Sequence, residues 1–370
     1  MGKEGFITKE EIDTPALLID LDALENNIKI MADFFKDKKA KLRAHYKSYK
    51  CPTISHKQIA AGAKGITCAK VGEAETLIYS GVRDVLIANE IADPAKIYRL
   101  AGIAHAHPET KITVAVDNAE NIAVLSKAAS KIGATIYVLV EVDVGMNRCG
   151  VNTPEEVYTL AKKIVDSEGL VYEGIQAYEG HLVYDLDIPP SYTDEFRRKG
   201  VKRMVEKVGK IKTYLESKGI AVNEISGGGT GTYNITGDNT IWTEIQAGSY
   251  VLMDNVYGRV GLKFQNALTI LTTVINKRPG MAITDAGLKV CTTEQGSPTI
   301  KGYPHLKMYK KLSEEHGLIE DPKEELKYLQ RVEYIPSHGC TTVNLHDRFL
   351  CVRKGLLEAV WPITARGKSQ

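Results

Sequence analysis

Two glycine-rich segments and one lysine are the residues of this 370-residue sequence best suited to chemistry. Residues 226–232 (SGGGTGT) and 246–250 (QAGSY) leave backbone N–H groups accessible, and several such groups can converge on an anion such as a phosphate. Glycines in these places could also serve only to make tight turns. Lys47, in LRAHYKSYK, carries an amine that becomes a nucleophile toward an aldehyde once burial removes its proton. The alternative for Lys47 is an ordinary surface lysine.

Further side chains could take part in catalysis or metal binding. His181, in YEGH, has an imidazole that titrates in the range that a general base needs. Arg148, in GMNRCG, has flanking residues that favour a projecting loop. His338 and Cys340 are separated by one residue, so on an extended segment both would point to the same side and could share a metal ion. No partner pair stands nearby in the sequence, so a closed structural zinc site is not expected.

Short apolar or β-branched runs alternate with amphipathic stretches between Leu42 and Gly248. The predicted strands cover residues 42–47, 65–70, 84–89, 111–116, 135–142, 173–180, 223–228 and 243–248. Helices with recognisable start signals are predicted over 53–62, 73–80, 94–103, 155–167 and 193–217. Eight parallel strands, each followed by a helix or a long connection, are typical of a (β/α)8 TIM-type barrel. An open doubly wound sheet normally carries a GxGxxG motif after its first strand, which this sequence lacks.

After Asp254 the pattern changes to β-rich runs separated by glycine, proline and charged turns. These runs predict a second, mostly β domain. The expected boundaries are 22–255 for an α/β barrel domain and 256–370 for the β domain. Residues 1–21 are expected to pair with the β domain, which would carry the metal site.

The barrel prediction brings the chemical residues together. Such barrels carry reactive groups at the carboxyl ends of their strands, and often bind phosphate in the loops after strands 7 and 8. The two glycine-rich segments follow those strands. Because strand 1 closes the barrel against strand 8, Lys47 at the end of strand 1 is expected beside the phosphate. An imine-forming amine beside a bound phosphate is what pyridoxal phosphate requires.

The composition excludes several classes of protein. Lys and Arg number 48 against 46 Asp and Glu, a formal charge of +2 without a basic run, so no nucleic-acid partner is indicated. No apolar window is long enough for a membrane span and the start lacks a signal-peptide pattern, so a cytoplasmic location without membrane contact is expected. Six cysteines without framework spacing are predicted to be thiols.

The motifs and their order resemble the fold type III, alanine racemase-like pyridoxal phosphate enzymes. The matching segments run nearly from end to end: TPALLIDLDALENNI, LRAHYKSYK, GITCAKVGEAE, DVLIANE, VDVGMNRCGV, YEGH, SGGGTGTY, QAGSYVLMD, TDAGLK and SHGCTTVNLHD. Within these enzymes, the sequence is most similar to the D-threonine aldolases and to the D-serine or 3-hydroxyaspartate dehydratases.

The resemblance implies roles for individual residues. Lys47 would be the Schiff-base lysine, Arg148 would lie near the phenolic oxygen of the cofactor, and His181 would act beside it as a base. His338 and Cys340 would hold a divalent metal, zinc or manganese ahead of magnesium, that contacts the substrate β-hydroxyl. The other implied cofactor-binding residues are Tyr178, in range of the pyridine nitrogen, and, around the phosphate, Gly228, Gly229, Thr230, Gly248, Ser249 and Tyr250.

Two reactions on small β-hydroxy-D-amino acids fit this resemblance. An aldolase would break the Cα–Cβ bond to give glycine and an aldehyde, with His181 removing the hydroxyl proton. A dehydratase would release a 2-oxo acid and ammonia, with Lys47 removing the α-proton. Cys340 favours the dehydratase, because the aldolases of this group carry Asp there. The glycine-rich segments resemble the aldolase and hydroxyaspartate branch, and we prefer the aldolase.

Two alternatives come from other classes of protein. An amino-acid racemase shares the barrel and the lysine but has no need of a metal pair. A non-catalytic cofactor carrier also shares the barrel but lacks a second domain. By analogy with the racemase-like barrels, we expect a homodimer in which each β domain completes the partner's site.

Overall fold

The computed structural model of the chain describes residues 7–183 and 194–370, which form two compact units. The first, here called the β unit, contains the described residues up to Ile30 together with Ser48–Thr53 and Ser249–Gly367. The second, here called the barrel unit, contains Met31–Lys47, Ile54–Gly248 and Lys368–Gln370.

The barrel unit contains a closed barrel of parallel strands, which confirms the predicted TIM-type fold. The chain's first strand, β1 (Ala16–Asp20), belongs to the β unit. The barrel strands follow it: β2 (Lys41–His45), β3 (Gly65–Cys68), β4 (Asp84–Glu90), β5 (Lys111–Val116), β6 (Ile136–Glu141), β7 (Leu170–Ala177), β8 (Glu224–Gly227) and β9 (Glu244–Ile245). Each strand pairs with the next in the chain, and β9 pairs with β2 to close the ring. All eight correspond to predicted strands, although β7 begins earlier and β9 is shorter than predicted.

Helices connect the barrel strands and cover the outside of the ring. In the described part of the chain the helices are α1 (Leu21–Phe35), α2 (Pro52–Ala60), α3 (Val71–Tyr79), α4 (Pro94–Ala106), α5 (Ala119–Ile132), α6 (Pro154–Val165), α7 (Asp194–Ser217), α8 (Tyr233–Thr236), α9 (Asn255–Gly258) and α10 (Gly339–Val343). The five predicted helices correspond to α2, α3, α4, α6 and α7, and residue 193 of the last one lies outside the described residues. Helix α5 was not among the predicted helices, although the Asn118 side chain caps its start.

Helix α6 illustrates how the sequence forms these elements. The Thr153 hydroxyl accepts a hydrogen bond from the Glu156 amide at 3.2 Å, and Pro154 occupies the first turn, where its missing N–H costs nothing. The buried side chains recur on one helical face: Val157, Leu160, Ala161 and Ile164. This spacing produces an apolar stripe that buries against the barrel, which leaves the other face for solvent.

A buried ion-pair network lies at the amino-terminal end of the barrel strands. Arg43 is only 2% exposed, and its guanidinium lies 2.7 Å from an Asp84 oxygen and 2.8 Å from a Glu244 oxygen. Lys64 lies 3.1 Å from the same Glu244 carboxylate. Burial alone would raise the pKa of Glu244, but the charges of Arg43 and Lys64 lower it to about 2. These ion pairs therefore stabilise the amino-terminal end of the barrel.

The β unit is built on a mixed sheet, which confirms the mostly β second domain. Its remaining strands are β10 (Leu268–Arg278), β11 (Met281–Thr284), β12 (Thr299–Ile300), β13 (Lys307–Met308), β14 (Gly317–Glu320), β15 (Arg331–Ile335), β16 (Arg348–Arg353) and β17 (Leu356–Pro362). The main order is β13-β14-β11-β10-β1-β16-β17, and β15 pairs with both β10 and β12. Strand β1 is antiparallel to β10 and parallel to β16.

Within the residues that the structure describes, no helix has the length and apolar character needed to cross a lipid bilayer.

Candidate active site

Lys47 and Tyr178 meet at the carboxyl end of the barrel strands. Lys47 lies in a single 3-10 turn, Tyr46–Ser48, directly after β2, and Tyr178 directly follows β7. The Lys47 Nζ lies 5.7 Å from the centre of the Tyr178 ring, within the range of a cation–π contact. The structure thus brings together two residues that were predicted separately, at the end of the barrel where such folds carry their reactive groups.

The glycine-rich turn after β8 forms a cradle beside the same strand ends. Gly228 has a φ of +72°, a left-handed conformation that favours glycine. A Cβ at Gly228 would lie 2.9 Å from side-chain atoms of Ile245, and one at Gly229 would lie 3.4 Å from the Tyr178 ring. Thr230 is 2% exposed. Because these glycines carry no side chain, the turn leaves space in which a phosphate could lie beside it.

The buried Glu179 side chain binds this turn through hydrogen bonds. Glu179 was not among the predicted residues. It is 1% exposed, and its carboxylate accepts hydrogen bonds from the Gly228 amide at 2.9 Å and from the Thr232 and Thr236 hydroxyls, each at 2.7 Å. Burial raises the pKa of Glu179, and these three donors oppose the rise. The only sequence signal was its position, one residue after Tyr178 at a strand end.

The second glycine segment divides between the two units. Gly248 is the last residue of its stretch of the barrel unit and is buried. Ser249 and Tyr250 begin a 3-10 turn, Ser249–Val251, in the β unit. The Tyr250 ring is fully buried and packs 5.4 Å from that of Phe264. Their assignment to the phosphate stays a prediction.

His181 lies in a 3-10 turn, Gly180–Leu182, that follows β7. Its backbone amide contacts the Met146 sulphur at 2.9 Å, and a Cβ at Gly145 would lie 2.7 Å from its Nε2 atom, so the β6 loop packs against the imidazole. The Nδ1 atom is buried and has no hydrogen-bond partner among the described residues. Burial lowers the pKa of His181 below 6.5, which Asp143 partly opposes. The imidazole is therefore neutral at pH 7 and available as a base.

Arg148 lies on the same β6 loop and is exposed. Its charge acts on Glu141, which is 6% exposed. Burial and the charge of Glu90 raise the pKa of Glu141 to about 8, against the lowering effect of Arg148. A contact between Arg148 and the cofactor stays a prediction.

A group that the sequence did not suggest lies beside this arginine. One potential ligand atom from each of Glu90, Asp117 and Cys149 lies within 4.8 Å of the others. Burial and the Glu90 charge raise the pKa of the Cys149 thiol to about 11. In the absence of a metal, the thiol is therefore protonated at neutral pH.

His338 and Cys340 contact each other in the β unit, but by a different geometry from the one predicted. His338 has an extended backbone and occupies the position before the first residue of α10, whereas Cys340 lies in the first turn of that helix. The prediction of one continuous extended segment is therefore wrong. A hydrogen bond from the ring still reaches the thiol, because the chain turns between the two residues.

Asp254 orients the His338 ring and was not predicted. Its Oδ2 accepts from His338 Nδ1 at 2.9 Å and from the Gly339 amide at 2.8 Å. Although burial lowers it, the Cys340 charge and the Asp254 hydrogen bond raise the pKa of His338 to about 10. Because Asp254 engages Nδ1, Nε2 is the nitrogen that would bind a metal shared with Cys340. An acid directly before a short helix was the available sequence signal.

Two serines surround the Cys340 sulphur within the β unit. The sulphur lies 3.4 Å from the Ser48 oxygen and 3.9 Å from that of Ser249, and the two hydroxyl oxygens are 3.4 Å apart. Ser48 is also the residue that follows Lys47 in the chain. An imidazole and a thiol, both oriented by hydrogen bonds, form a donor set that suits a zinc-like ion.

Comparison with known proteins supports these observations. The profile of the family described as "Alanine racemase, N-terminal domain" matches residues 19–256, and that of a serine dehydratase domain matches residues 267–352. The chain is 40% identical over 373 residues to a 3-hydroxy-D-aspartate aldolase of Paracoccus denitrificans (strain Pd 1222), across 97% of this chain and 94% of that protein. It is also 40% identical over 367 residues to a D-threonine aldolase of Arthrobacter sp., with the same coverage.

A solved structure and a more distant relative complete the comparison. The crystal structure of D-threonine aldolase from Filomicrobium marinum superposes with a TM-score of 0.93 at 35% identity and covers 99% of both chains. A D-threo-3-hydroxyaspartate dehydratase of Delftia sp. (strain HT23) is 28% identical over 360 residues, covering 90% of this chain and 92% of that protein. The resemblance read from the sequence is confirmed, and the aldolases are more similar to the chain than this dehydratase is.

Proposed function

Since the chain belongs to the alanine racemase N-terminal domain family, we propose that it is a pyridoxal phosphate-dependent lyase that cleaves β-hydroxy-D-amino acids to glycine and an aldehyde. The observation that carries the proposal is the Lys47 amine, which lies 5.7 Å from the Tyr178 ring at the same strand ends as the glycine-rich turn that starts at Gly228. The relatives named as aldolases, each 40% identical over almost the whole chain, support the type of reaction.

The residues of the barrel unit fit the cofactor. When bound, pyridoxal phosphate supplies an aldehyde that links to amines and a ring that stabilises negative charge at Cα. Lys47 would hold that aldehyde, Tyr178 would contact the ring, and Arg148 would bind the phenolic oxygen. The phosphate would lie against the turn that starts at Gly228. These assignments rest on the resemblance together with the local geometry.

We propose that His181 accepts the proton of the substrate β-hydroxyl. Bond cleavage between Cα and Cβ requires that this proton leave the hydroxyl as the aldehyde forms. A neutral imidazole is the form that accepts a proton, and burial keeps His181 in this form at pH 7. Its Nδ1 atom has no partner among the described residues, so no existing hydrogen bond must break first.

We further propose a divalent metal, zinc or manganese ahead of magnesium, on His338 and Cys340. Its chemistry would be to polarise the substrate hydroxyl as a Lewis acid. The orientation of His338 by Asp254, at 2.9 Å, supports this assignment. Two protein ligands leave coordination positions open, as a metal that binds substrate requires.

Product analysis tests the proposed reaction. Purified protein with pyridoxal phosphate and zinc or manganese is incubated with D-threonine, and glycine, acetaldehyde and 2-oxobutyrate are measured, with L-threonine as control. Glycine and acetaldehyde in equal amounts from the D-isomer are expected. Formation of 2-oxobutyrate alone would overturn the aldolase in favour of the dehydratase, the candidate that Cys340 favours. Comparing kcat/KM for D-threonine and 3-hydroxy-D-aspartate then determines the preferred side chain.

For the assembly and location we propose a cytoplasmic homodimer. The dimer rests on analogy with the racemase-like barrels. All six cysteines lie in the described residues and none forms a disulfide there, which suits a reducing compartment. Light scattering should give twice the 40.7 kDa chain mass, and a mass of one chain would contradict the dimer.

A further inference from the structure

We propose that Glu179 is a positioning residue that shapes the glycine turn for the cofactor phosphate. This inference rests on the proposed use of pyridoxal phosphate and goes beyond it, because Glu179 would not touch the cofactor. Its carboxylate accepts three hydrogen bonds, all from the segment that forms the turn and the helix after it. At 1% exposure it has no access to bulk solvent.

The contacts of Glu179 reach two consecutive amides of the turn. The Gly228 amide donates directly to one carboxylate oxygen at 2.9 Å. The Thr232 hydroxyl donates to the other oxygen at 2.7 Å, and the Thr232 oxygen in turn accepts from the Gly229 amide at 3.3 Å. The Gly228 amide therefore faces the carboxylate, and the Gly229 amide faces the Thr232 hydroxyl that bonds to the carboxylate. The predicted role of Gly228 and Gly229 at the phosphate would then depend on the path of their backbone and not on their N–H groups.

The Thr236 hydroxyl ties the following helix to the same oxygen. This donor lies in α8 and bonds at 2.7 Å, so the turn is held at its start by Gly228 and at its end by Thr236. A left-handed φ of +72° at Gly228 is kept in place by such bonds at both sides. Ligand binding then costs less ordering of the turn, which is how preorganisation increases affinity.

The chemistry of the group explains why a carboxylate is needed here. Both oxygens accept, one from an N–H and the other from two O–H groups, and an ionised carboxylate is an acceptor at both positions. A glutamine has the same shape, but its NH2 group would face either the Gly228 N–H, which can only donate, or the two threonine hydroxyls, which would have to change from donors to acceptors. Burial raises the pKa of Glu179, and the three hydrogen bonds oppose this rise. The donors therefore stabilise the ionised carboxylate, and the carboxylate in turn holds the turn in its conformation.

The experiment compares Glu179→Gln with wild type in two titrations, one with pyridoxal phosphate and one with pyridoxal, which has no phosphate. Dissociation constants are measured on cofactor-free protein by visible absorbance. We expect the variant to bind pyridoxal phosphate at least about tenfold more weakly, the size expected for losing a hydrogen bond to a charged group, with pyridoxal affinity changed by less than about twofold. Equal weakening for both ligands, or no weakening for either, would overturn the proposal.

A matched control and a milder pair of variants keep the test decisive. Glu224→Gln changes a carboxylate at the opposite end of β8, which accepts from the Thr243 hydroxyl at 2.6 Å, and should alter neither constant. If Glu179→Gln does not fold, Thr232→Val removes the relay to Gly229 and Thr232→Ser retains it. The valine variant should lose phosphate-dependent affinity and the serine variant should keep it, and identical affinities in the two would contradict the role. Failure of wild type to bind pyridoxal phosphate would instead refute the proposed function.

Discussion

Replacing Asp254 by asparagine should weaken metal binding without unfolding the β unit. Asp254 is 1% exposed and accepts from His338 Nδ1 at 2.9 Å, from the Gly339 amide at 2.8 Å and from the Tyr257 amide at 2.9 Å. The asparagine NH2 group cannot accept, so at the Oδ2 position it leaves both His338 and the Gly339 amide without an acceptor, and at the Oδ1 position it leaves the Tyr257 amide without one. In either orientation the neutral amide fixes the Nδ1–H tautomer of His338 less firmly than the carboxylate does. Loss of such a partner typically weakens metal affinity about 10- to 100-fold.

The assay is competition between the protein and a chromophoric chelator for zinc. Asp321→Asn is the matched control, because Asp321 is also fully buried in the β unit and accepts from two backbone amides, those of Glu325 at 2.8 Å and Leu326 at 3.0 Å. Its zinc affinity should equal that of wild type. Zinc binding by Asp254→Asn as tight as wild type, or equal weakening in both variants, would refute the orientation argument.

Three further predictions concern catalysis, stability and the phosphate turn. Because burial lowers the pKa of His181 below 6.5, kcat/KM should stay constant down to that pH and fall only under more acidic conditions. His181→Asn should lower kcat about 10²- to 10⁴-fold and remove this decrease at acidic pH. If the variant still shows the acidic decrease in kcat/KM, His181 is not the base. Glu244 has a pKa depressed from 4.5 to about 2, so its stabilisation is complete above pH 4.5 and is lost as the pH falls toward 2. In urea unfolding at pH 7, the free energy of unfolding of Glu244→Gln should be about 3–5 kcal/mol below that of wild type, since Arg43 loses a buried partner. This difference in free energy should become smaller as the pH is lowered, because the Glu244 carboxylate of wild type is then protonated. A difference that does not change with pH would contradict the role of the Glu244 charge. Gly228→Ala should weaken pyridoxal phosphate binding about tenfold, because φ is +72° and the new Cβ would lie 2.9 Å from Ile245. Gly229→Ala should have a smaller effect, because its Cβ would lie 3.4 Å from the nearest atom, in Tyr178. Equal affinities of the two variants for pyridoxal phosphate in absorbance titrations would contradict this prediction.

The barrel could be predicted from sequence because its signals are local and repeated. Apolar runs and amphipathic stretches alternate along the chain, and each strand pairs with its neighbour in the chain, so no long-range pairing had to be guessed. The exceptions show the limits of local signals. Strand β9 has two residues, because its role is to close the ring against β2 and β8, and that role is set by the neighbours.

The buried residues that hold the predicted site residues in place through hydrogen bonds could not be predicted from the sequence. Lys47 and His181 stand in motifs whose chemistry is visible in their side chains. Glu179 and Asp254 take their importance from buried contacts across 49 and 84 positions of sequence, to Gly228 and His338, and no spacing rule reports such pairs. The expected geometry of His338 and Cys340 was wrong for a related reason: alternation along a strand was assumed where a short helix begins.

Borohydride reduction of the purified protein with pyridoxal phosphate tests the central claim most directly. Reduction fixes the cofactor to the amine that holds it, and peptide mass spectrometry then identifies that amine. The cofactor mass should be found on Lys47, and Lys47→Ala should lose the visible imine band, the label and the activity, while Lys50→Ala keeps the label. A label on another lysine, or a coloured and active Lys47→Ala protein, would contradict the account.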